Sequence, residues 1–520
     1  MDNTRSGKWV QIIKENKKWI PVGIVLLLSF LLRILNLHFP LGGDRHAFRQ
    51  TQVAITIQSY LHDGWSLFRY ELPVFGQPWQ APMEFPIYQS VVYFVMKIFH
   101  RTNIDVCCRF VSLCIFYLSL AALKKVADLI VDRKTAYIIC AVYLFAPFTI
   151  FWSRTAMIDY MAVLFALVYV WGLYSWLTQG RKTFAVTILF GCLAYLQKAT
   201  TMFPYVFFLA FLILGYFYKE IHNQYQKVTL YVIREYCMKN KIRIMILALL
   251  CILPVIPGVC WIKYADVIKE QSVFARAWRS DVLKTWNYGT IEQKFSFNIW
   301  LPILKELCDY IGGVIMVVLL IAAYCLLKEK KNLHIIISSI LVIFMTIFSL
   351  INLYWRHDYY MIALSPFISI VYGTILFSVT DSLFLVKRSG RVLLTGAIAA
   401  MVICAQIRTN GFYLLETVLP MPIRGTDEYI VLGNCIGSIT TQNERIVTEG
   451  EDVNPAIFYY ADRKGIMTTG VSINEWFFTE FLRQDNYTTL ITHSADFTDM
   501  LAQYYDVLIQ YPGLRDRHIY

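Results

Sequence analysis

Residues 19–50 read WIPVGIVLLLSFLLRILNLHFPLGGDRHAFRQ: a long apolar run that ends in a polar cluster, with Asp44, His46, Arg49 and Gln50 inside seven positions. The apolar part, 19–37, is long enough to cross the roughly 30 Å of hydrocarbon in a bilayer. It follows Lys8, Lys14, Lys17 and Lys18, and no small-residue cleavage site comes after it, so it reads as an uncleaved span rather than a signal peptide. The polar cluster would then sit at the membrane surface directly after the first crossing.

The rest of the chain supports that reading. Of 520 residues, 57% are hydrophobic and only 16% charged, against roughly 25% charged in soluble proteins, and mean hydropathy is +0.50. This excludes a soluble globular enzyme and a disordered chain. Ten further apolar segments are expected to span, at about 104–123, 135–151, 159–178, 183–197, 202–218, 244–262, 310–327, 333–353, 359–378 and 392–407. Basic residues collect in alternate loops: the amino terminus, Lys124/Lys125/Arg133/Lys134, Arg181/Lys182, Lys219 through Arg243, Lys328/Lys330/Lys331 and Lys387/Arg388/Arg391. The positive-inside rule makes these loops cytoplasmic. The net charge of +12 is therefore loop charge that orients helices, and no nucleic-acid partner is implied. Residues 86–99, PIYQSVVYFVMKIF, are apolar but too short for an upright span at 1.5 Å per residue, and are expected to form an outer interfacial helix.

Composition changes near 410. RIVTEG (445–450), KGIMTTG (464–470), YTTLITH (487–493) and YDVLIQY (505–511) read as strands, with helices beginning near Asn454, Asn474 and Ala495. The expectation is a polytopic α-helical membrane protein of the cell (plasma) membrane, with about eleven transmembrane helices and outer interfacial helices. Its transmembrane domain covers 1–409, with a first outer loop at 38–85. A C-terminal extracytoplasmic α/β domain covers 410–520, and the amino terminus is cytoplasmic. Of twelve cysteines only Cys435 lies in the tail, and no CxxC or Cys/His spacing indicates a disulfide framework or structural zinc. Asn486-Tyr487-Thr488 fits a glycosylation sequon.

Three carboxylates fall at the outer boundary of this topology: Asp44; Glu84, two residues before Pro86; and Asp159, at the start of a span. Each alone resembles ordinary helix-start electrostatics. Acids near a membrane are nonetheless costly unless paired or used, and the three converge on one side. Gly42 and Gly43 are expected to let the backbone turn before Asp44, and from Ala47 the apolar spacing predicts an amphipathic helix on the interface. Cations fall on the same side: Arg45, Arg49, Arg154, Lys198 and Arg356, with His357 beside Arg356. Together they suit an anionic group such as a phosphate. The loop 263–309, with Trp278, Trp286, Tyr288 and Trp300, reads as an interfacial cover or a plain aromatic belt.

These residues resemble the integral-membrane glycosyltransferases of the GT-C class, in the bacterial branch related to protein O-mannosyltransferases and lipid A aminoarabinose transferases. The resemblance rests on Asp44 directly after the first span with His46-Ala47-Phe48-Arg49-Gln50, on Glu84-Phe85-Pro86, on Asp159, and on His357-Asp358-Tyr359-Tyr360. It implies an inverting hexosyl- or pentosyltransferase that moves a sugar from a polyprenyl phosphate to a lipid, glycan or protein acceptor at the outer face. It also implies Asp44 as base, Glu84 and Asp159 as further catalytic carboxylates that either orient the acceptor and the basic residues or hold a divalent metal, and Arg45, His46, Arg49, Gln50, Lys198, Arg356, His357 and Tyr359 around the donor phosphate and substrate. No metal is expected to be obligatory, although Mg²⁺ or Mn²⁺ on Asp44 and Asp159 suits hard oxygen ligands. One position departs from the pattern. Aminoarabinose transferases commonly follow the Glu with a Lys that reaches the lipid phosphate, whereas Phe85 follows Glu84, leaving Lys198, Arg356 or a first-loop Arg for that contact. The alternative, a lipid or polysaccharide transporter, would favour repeats and ionisable groups near the bilayer midplane.

Overall fold

The computed structural model describes residues 20–382, 388–418, 427–449, 454–468, 487–492, 509–510 and 518–519. The basic amino terminus, the helices expected near Asn474 and Ala495, and Asn486 of the sequon lie outside them. The membrane-proximal part opens with α1 (Ile20–Ile34), α2 (Ala47–Asp63), α3 (Ile87–Ile98), α4 (Ile104–Ile130), α5 (Arg133–Phe145) and α6 (Pro147–Trp152). It continues through α7 (Asp159–Gln179), α8 (Phe184–Lys198), α9 (Met202–Tyr225), α10 (Leu230–Lys239), α11 (Lys241–Ile252) and α12 (Val255–Lys269). Then follow α13 (Phe297–Asp309), α14 (Val314–Cys325), α15 (Leu333–Ser349), α16 (Met361–Ser382) and α17 (Arg388–Val418).

Each of the eleven apolar segments carries a helix. Among the described residues six helical stretches are individually long and apolar enough to cross a membrane, seven if α13 and α14, bent by 68°, make one broken span. The difference from eleven has local causes. Segment 135–151 is cut at Pro147, which removes a backbone donor and starts a new helix after the extended Ala146, while 183–197 and 202–218 merge into one stretch, Phe184–Tyr225. Large apolar side chains stay exposed on the helix surfaces, among them Leu27, Leu28, Ile315 and Leu326. An apolar exterior of this kind needs lipid, and the protein is a helical membrane protein.

The helices are held by close packing and by buried cations. The Leu144 carbonyl, in the last turn of α5, lacks a partner within its own helix and accepts from Arg33 Nη2 at 2.7 Å. The same guanidinium donates to Ser29 Oγ and Ser153 Oγ, pinning α1 to the α5–α6 break. Gly373 of α16 lies against the α5 backbone, where a Cβ would come within 2.6 Å of Ile139 Cα, the small-residue contact typical of membrane helices.

The tail contains α18 (Asp427–Ile439), β1 (Arg445–Glu449), α19 (Ala456–Ala461), β2 (Lys464–Thr468), β3 (Tyr487–Thr492), β4 (Ile509–Gln510) and β5 (His518–Ile519) in a sheet of order β2-β1-β3-β5-β4. β1 is parallel to β2 and β3, and β5 is antiparallel to its neighbours. Three features differ from the sequence reading. The boundary at 409/410 falls inside α17, at a non-helical Asn410, and the helix carries on into the site. Of the expected strand 505–511 the described residues are Ile509–Gln510, which form β4, and its neighbour β5 was unforeseen. α2 does not lie open on the interface but packs against α3, α4 and the tail helix α19. The loop between α2 and α3 also extends the sheet: Gly465 N donates to Pro73 O and Met467 N to Val74 O, both at 3.0 Å.

Gly373→Ala is expected to destabilise the bundle by about 1–3 kcal/mol through overpacking, read as a lower unfolding midpoint in detergent. An unchanged midpoint would contradict the close α5–α16 approach.

Candidate active site

Each of the three sequence-predicted carboxylates has its own cation. Asp44 follows a short 3-10 turn, Leu41–Gly43, where Asp44 N donates to Leu41 O. Neither glycine of this turn has a positive φ. Gly42 is needed for space instead, since a Cβ there would come within 2.6 Å of the Tyr460 ring. Asp44 Oδ2 accepts from Arg109 Nη1 at 2.8 Å, and Oδ1 accepts from Arg45 N at 3.0 Å. Arg109, absent from the sequence reading, is fully buried in α4 and also donates to the carbonyls of Phe39, Pro40 and Arg154. Arg154 in turn donates to Leu35 O, Asn36 O and Thr417 O, tying the ends of α1 and α17 together.

The second and third pairs share a cluster. Arg49, in the first turn of α2, pairs with Glu84, and Lys198 Nζ donates to Asp159 Oδ1 at 2.7 Å. Phe85 N donates to Leu196 O at 3.2 Å, which sets Glu84 beside the end of α8 that carries Lys198. Phe85 itself packs edge-on against Trp261, at 4.8 Å between ring centroids, so the position that departs from the family pattern is an apolar anchor. The Lys198 ammonium lies over the rings of Tyr359 and Tyr360, at 5.1 and 4.6 Å. Burial pushes the Glu84 carboxyl up, but Arg49 and Lys198 more than offset it, and the group stays below the usual carboxylate range. Among the described residues, Asp159 Oδ2 is buried without a hydrogen-bond partner, as is His357 Nδ1.

A third network braces the first two. His46 caps α2 in the left-handed region, at φ 48°, and its Nε2 meets Asp358 Oδ1 at 2.7 Å. Arg45 Nη1 donates to the other Asp358 oxygen at 2.8 Å and its Nε pairs with Glu416. Tyr413 OH also donates to Asp358. Gln50 links the loops, donating to Arg45 O and accepting from Ala156 N. The His46 ring contacts His357 and Tyr359 at 5.3 and 5.0 Å.

Among the predicted site residues, the structure thus gathers Glu84, Asp159, Arg49, Lys198, His357 and Tyr359 in one cluster, braced by Arg45 and His46; Asp44 comes two residues before His46 and is held by Arg109, while Gln50 bonds the Arg45 carbonyl between them. Arg356 is not gathered: it is exposed and stacks on its neighbour Trp355, 4.0 Å away. Asp44 and Asp159 are both neutralised by cations, and among the described residues no three His, Cys, Asp or Glu side chains are grouped as metal ligands. Tyr413 and Glu416 were missed because the compositional break was placed before them.

Burial, then the neighbouring charges of His46, Lys198 and Arg49, outweigh Asp358 and lower His357 from 6.5 to about 4. It is neutral at physiological pH. Because the folded value lies below the unfolded one, protons favour the unfolded chain. The unfolding midpoint is expected to fall as pH drops from about 6.5 toward 4, less steeply in His357→Gln. Equal slopes would contradict the buried neutral ring. Stranding one member of the Asp159–Lys198 pair should cost about 3–5 kcal/mol. In a double-mutant cycle Asp159→Asn with Lys198→Met is expected to lose clearly less than the sum of the single losses, and simple additivity would refute the pairing.

No protein-family model and no curated protein matches the sequence. Solved structures do match. ArnT from Cupriavidus metallidurans, bound to undecaprenyl phosphate, superposes with a TM-score of 0.56 at 12% identity over 96% of this chain and 97% of its own. The Archaeoglobus fulgidus oligosaccharyltransferase in its apo form gives 0.57 at 10% identity, over 92% of this chain and 70% of its own. AglB from the same organism, in complex with an inhibitory peptide and a dolichol-phosphate, gives 0.56 at 9%, over 92% and 69%. At such identities the likeness carries the architecture, and the chemistry has to come from the side chains.

Proposed function

From the GT-C fold that this chain has, we propose that it is an inverting glycosyltransferase that uses a polyprenyl-phosphate sugar as donor. The observation that carries this reading is the cluster of Arg49 and Lys198 with Glu84, Asp159, Tyr359 and the neutral His357, together with the carboxylate of Asp44 that Arg109 fixes two residues before His46.

Transfer forms a bond between an acceptor oxygen or amide nitrogen and the anomeric carbon, and breaks the bond from that carbon to the phosphate oxygen. The acceptor proton becomes acidic as the new bond forms, and Asp44 takes it. The leaving phosphate is weakly basic and needs positive charge rather than a proton, which Lys198 and Arg49 supply. Asp159 Oδ2 and the uncharged His357 Nδ1, both without partners among the described residues, suit sugar hydroxyls. Attack from the face opposite the phosphate gives inversion. Asp44 and Asp159 each already carry a cation on one oxygen, Arg109 and Lys198, and the proposed electrostatic partners of the phosphate are the cations of the chain itself; Mg²⁺ or Mn²⁺, if it takes part, would be held by Asp44 and Asp159.

The reading includes eleven crossings of the plasma membrane, a cytoplasmic amino terminus, an extracytoplasmic tail, and a lipid, glycan or protein as acceptor. The test uses purified full-length protein in nanodiscs with a panel of undecaprenyl-phosphate sugars and membrane acceptors. Wild type is expected to release undecaprenyl phosphate, with Asp44→Asn reduced at least about 100-fold, the scale of a lost general base, and Asp159→Asn also reduced. EDTA should leave the rate unchanged. Equal release by all three proteins would overturn the site, and loss with EDTA restored by Mg²⁺ or Mn²⁺ would overturn the metal-free chemistry. A protease-cleavable tag after Tyr520 should be cut only from outside the cell.

A further inference from the structure

The turn that presents Asp44 is held by the tail. Asp105, in the first turn of α4, is buried at 8% exposure and has no cationic partner among the described residues. It accepts three hydrogen bonds: Oδ2 from Leu41 N at 3.1 Å and from Tyr460 OH at 3.1 Å, and Oδ1 from Tyr459 OH at 2.5 Å. Tyr460 OH also accepts from Gly42 N at 2.9 Å. Two consecutive backbone donors of the turn before Asp44 therefore end on one tail tyrosine and on the carboxylate that this tyrosine and its neighbour satisfy.

The arrangement is local and specific. Gly42 has no Cβ because the Tyr460 ring occupies that space. The α19 backbone is fixed to α2 by Gln58 Nε2, which donates to Tyr459 O at 3.2 Å, and the strand that follows is bonded to residues 73–74 of the first loop. A buried carboxylate without these donors would be costly, so Asp105, Tyr459 and Tyr460 stand or fall as a unit.

We infer that Tyr459 and Tyr460 of the tail, acting through Asp105, are positioning residues for Asp44: they fix the Leu41–Gly43 turn, and the tail is thereby a working part of the transfer site rather than an appended domain. This rests on the proposed role of Asp44. None of the three touches the reacting atoms. They set the direction of the Asp44 carboxylate while Arg109 sets its other side.

The test uses the full chain in nanodiscs with Tyr460→Phe, Tyr459→Phe and Asp44→Asn. Amide exchange in a peptide covering 41–44 needs no substrate and reads the turn directly. Tyr460→Phe is expected to speed exchange there by about 5- to 10-fold, the scale of one lost hydrogen bond. Its kcat, measured with whichever undecaprenyl-phosphate sugar supports turnover, should fall by a similar factor. Donor KM, undecaprenyl-phosphate binding and the unfolding midpoint should hold within about twofold or a few degrees. Tyr459→Phe should act in the same direction. Unchanged exchange at 41–44 in both variants overturns the inference even if Asp44→Asn is inactive. A uniform loss of midpoint and binding with no selective change at 41–44 overturns it as well. Full activity of Asp44→Asn instead removes the base assignment, and faster exchange then still reports the contact.

Discussion

A carboxylate and a guanidinium buried together at the end of a membrane helix are the constraint on which this structure rests. Taking Asp44 and Arg109 out of water costs several kcal/mol per ion, and the pair survives only with good geometry and further hydrogen bonds from the remaining donors. Arg109 uses four of its five N–H donors this way, on Asp44 and on three main-chain carbonyls, from Phe39, Pro40 and Arg154. Those carbonyls belong to the loop after α1 and to the loop before α7. One side chain of α4 thereby fixes the two loops that lead to Asp44 and Asp159, and the start of α2 follows from the first of them.

The same logic of paired charge recurs through the site. Glu84 and Asp159 face Arg49 and Lys198, and Asp358 and Glu416 face Arg45. Pairing makes a dense group of ions tolerable at the membrane boundary. Among the described residues it also leaves the second oxygen of Asp159 and Nδ1 of His357 without hydrogen-bond partners. On the proposed function, a phosphate entering this cluster would meet cations already oriented by their acids, and little reorganisation would be required as the leaving group gains charge.

The three acids were legible because a charge at the end of an apolar run stands out, and the cations were legible for the same reason. Which cation served which acid was not, since that depends on contacts such as Phe85 N to Leu196 O that leave no periodic trace. Arg109 left a signal that was readable but went unused. A single charge does not stop a span, yet an arginine inside one demands a partner. Arg356 carried the opposite hazard, a cation in a suggestive stretch that turns outward onto Trp355. The edge between composition classes near 410 hid Tyr413 and Glu416, because α17 runs through it. Gly42 was read as conformational freedom, whereas its role is to leave room for a tail residue 418 positions away.

The tail and the first loop share a sheet and an ion-pair set, with Lys464 reaching both Asp63 and Glu71. The surface that carries the tail is thus built around the loop that follows α1. On the proposed function, a lipid phosphate binds between Lys198 and Arg49. The most direct measurement is an electron-microscopy map of the protein in nanodiscs with undecaprenyl phosphate. Phosphate density is expected within hydrogen-bonding distance, about 2.7–3.2 Å, of Lys198 Nζ and the Arg49 guanidinium. Density at another site, with Lys198 and Arg49 still contacting only their carboxylates, would contradict it.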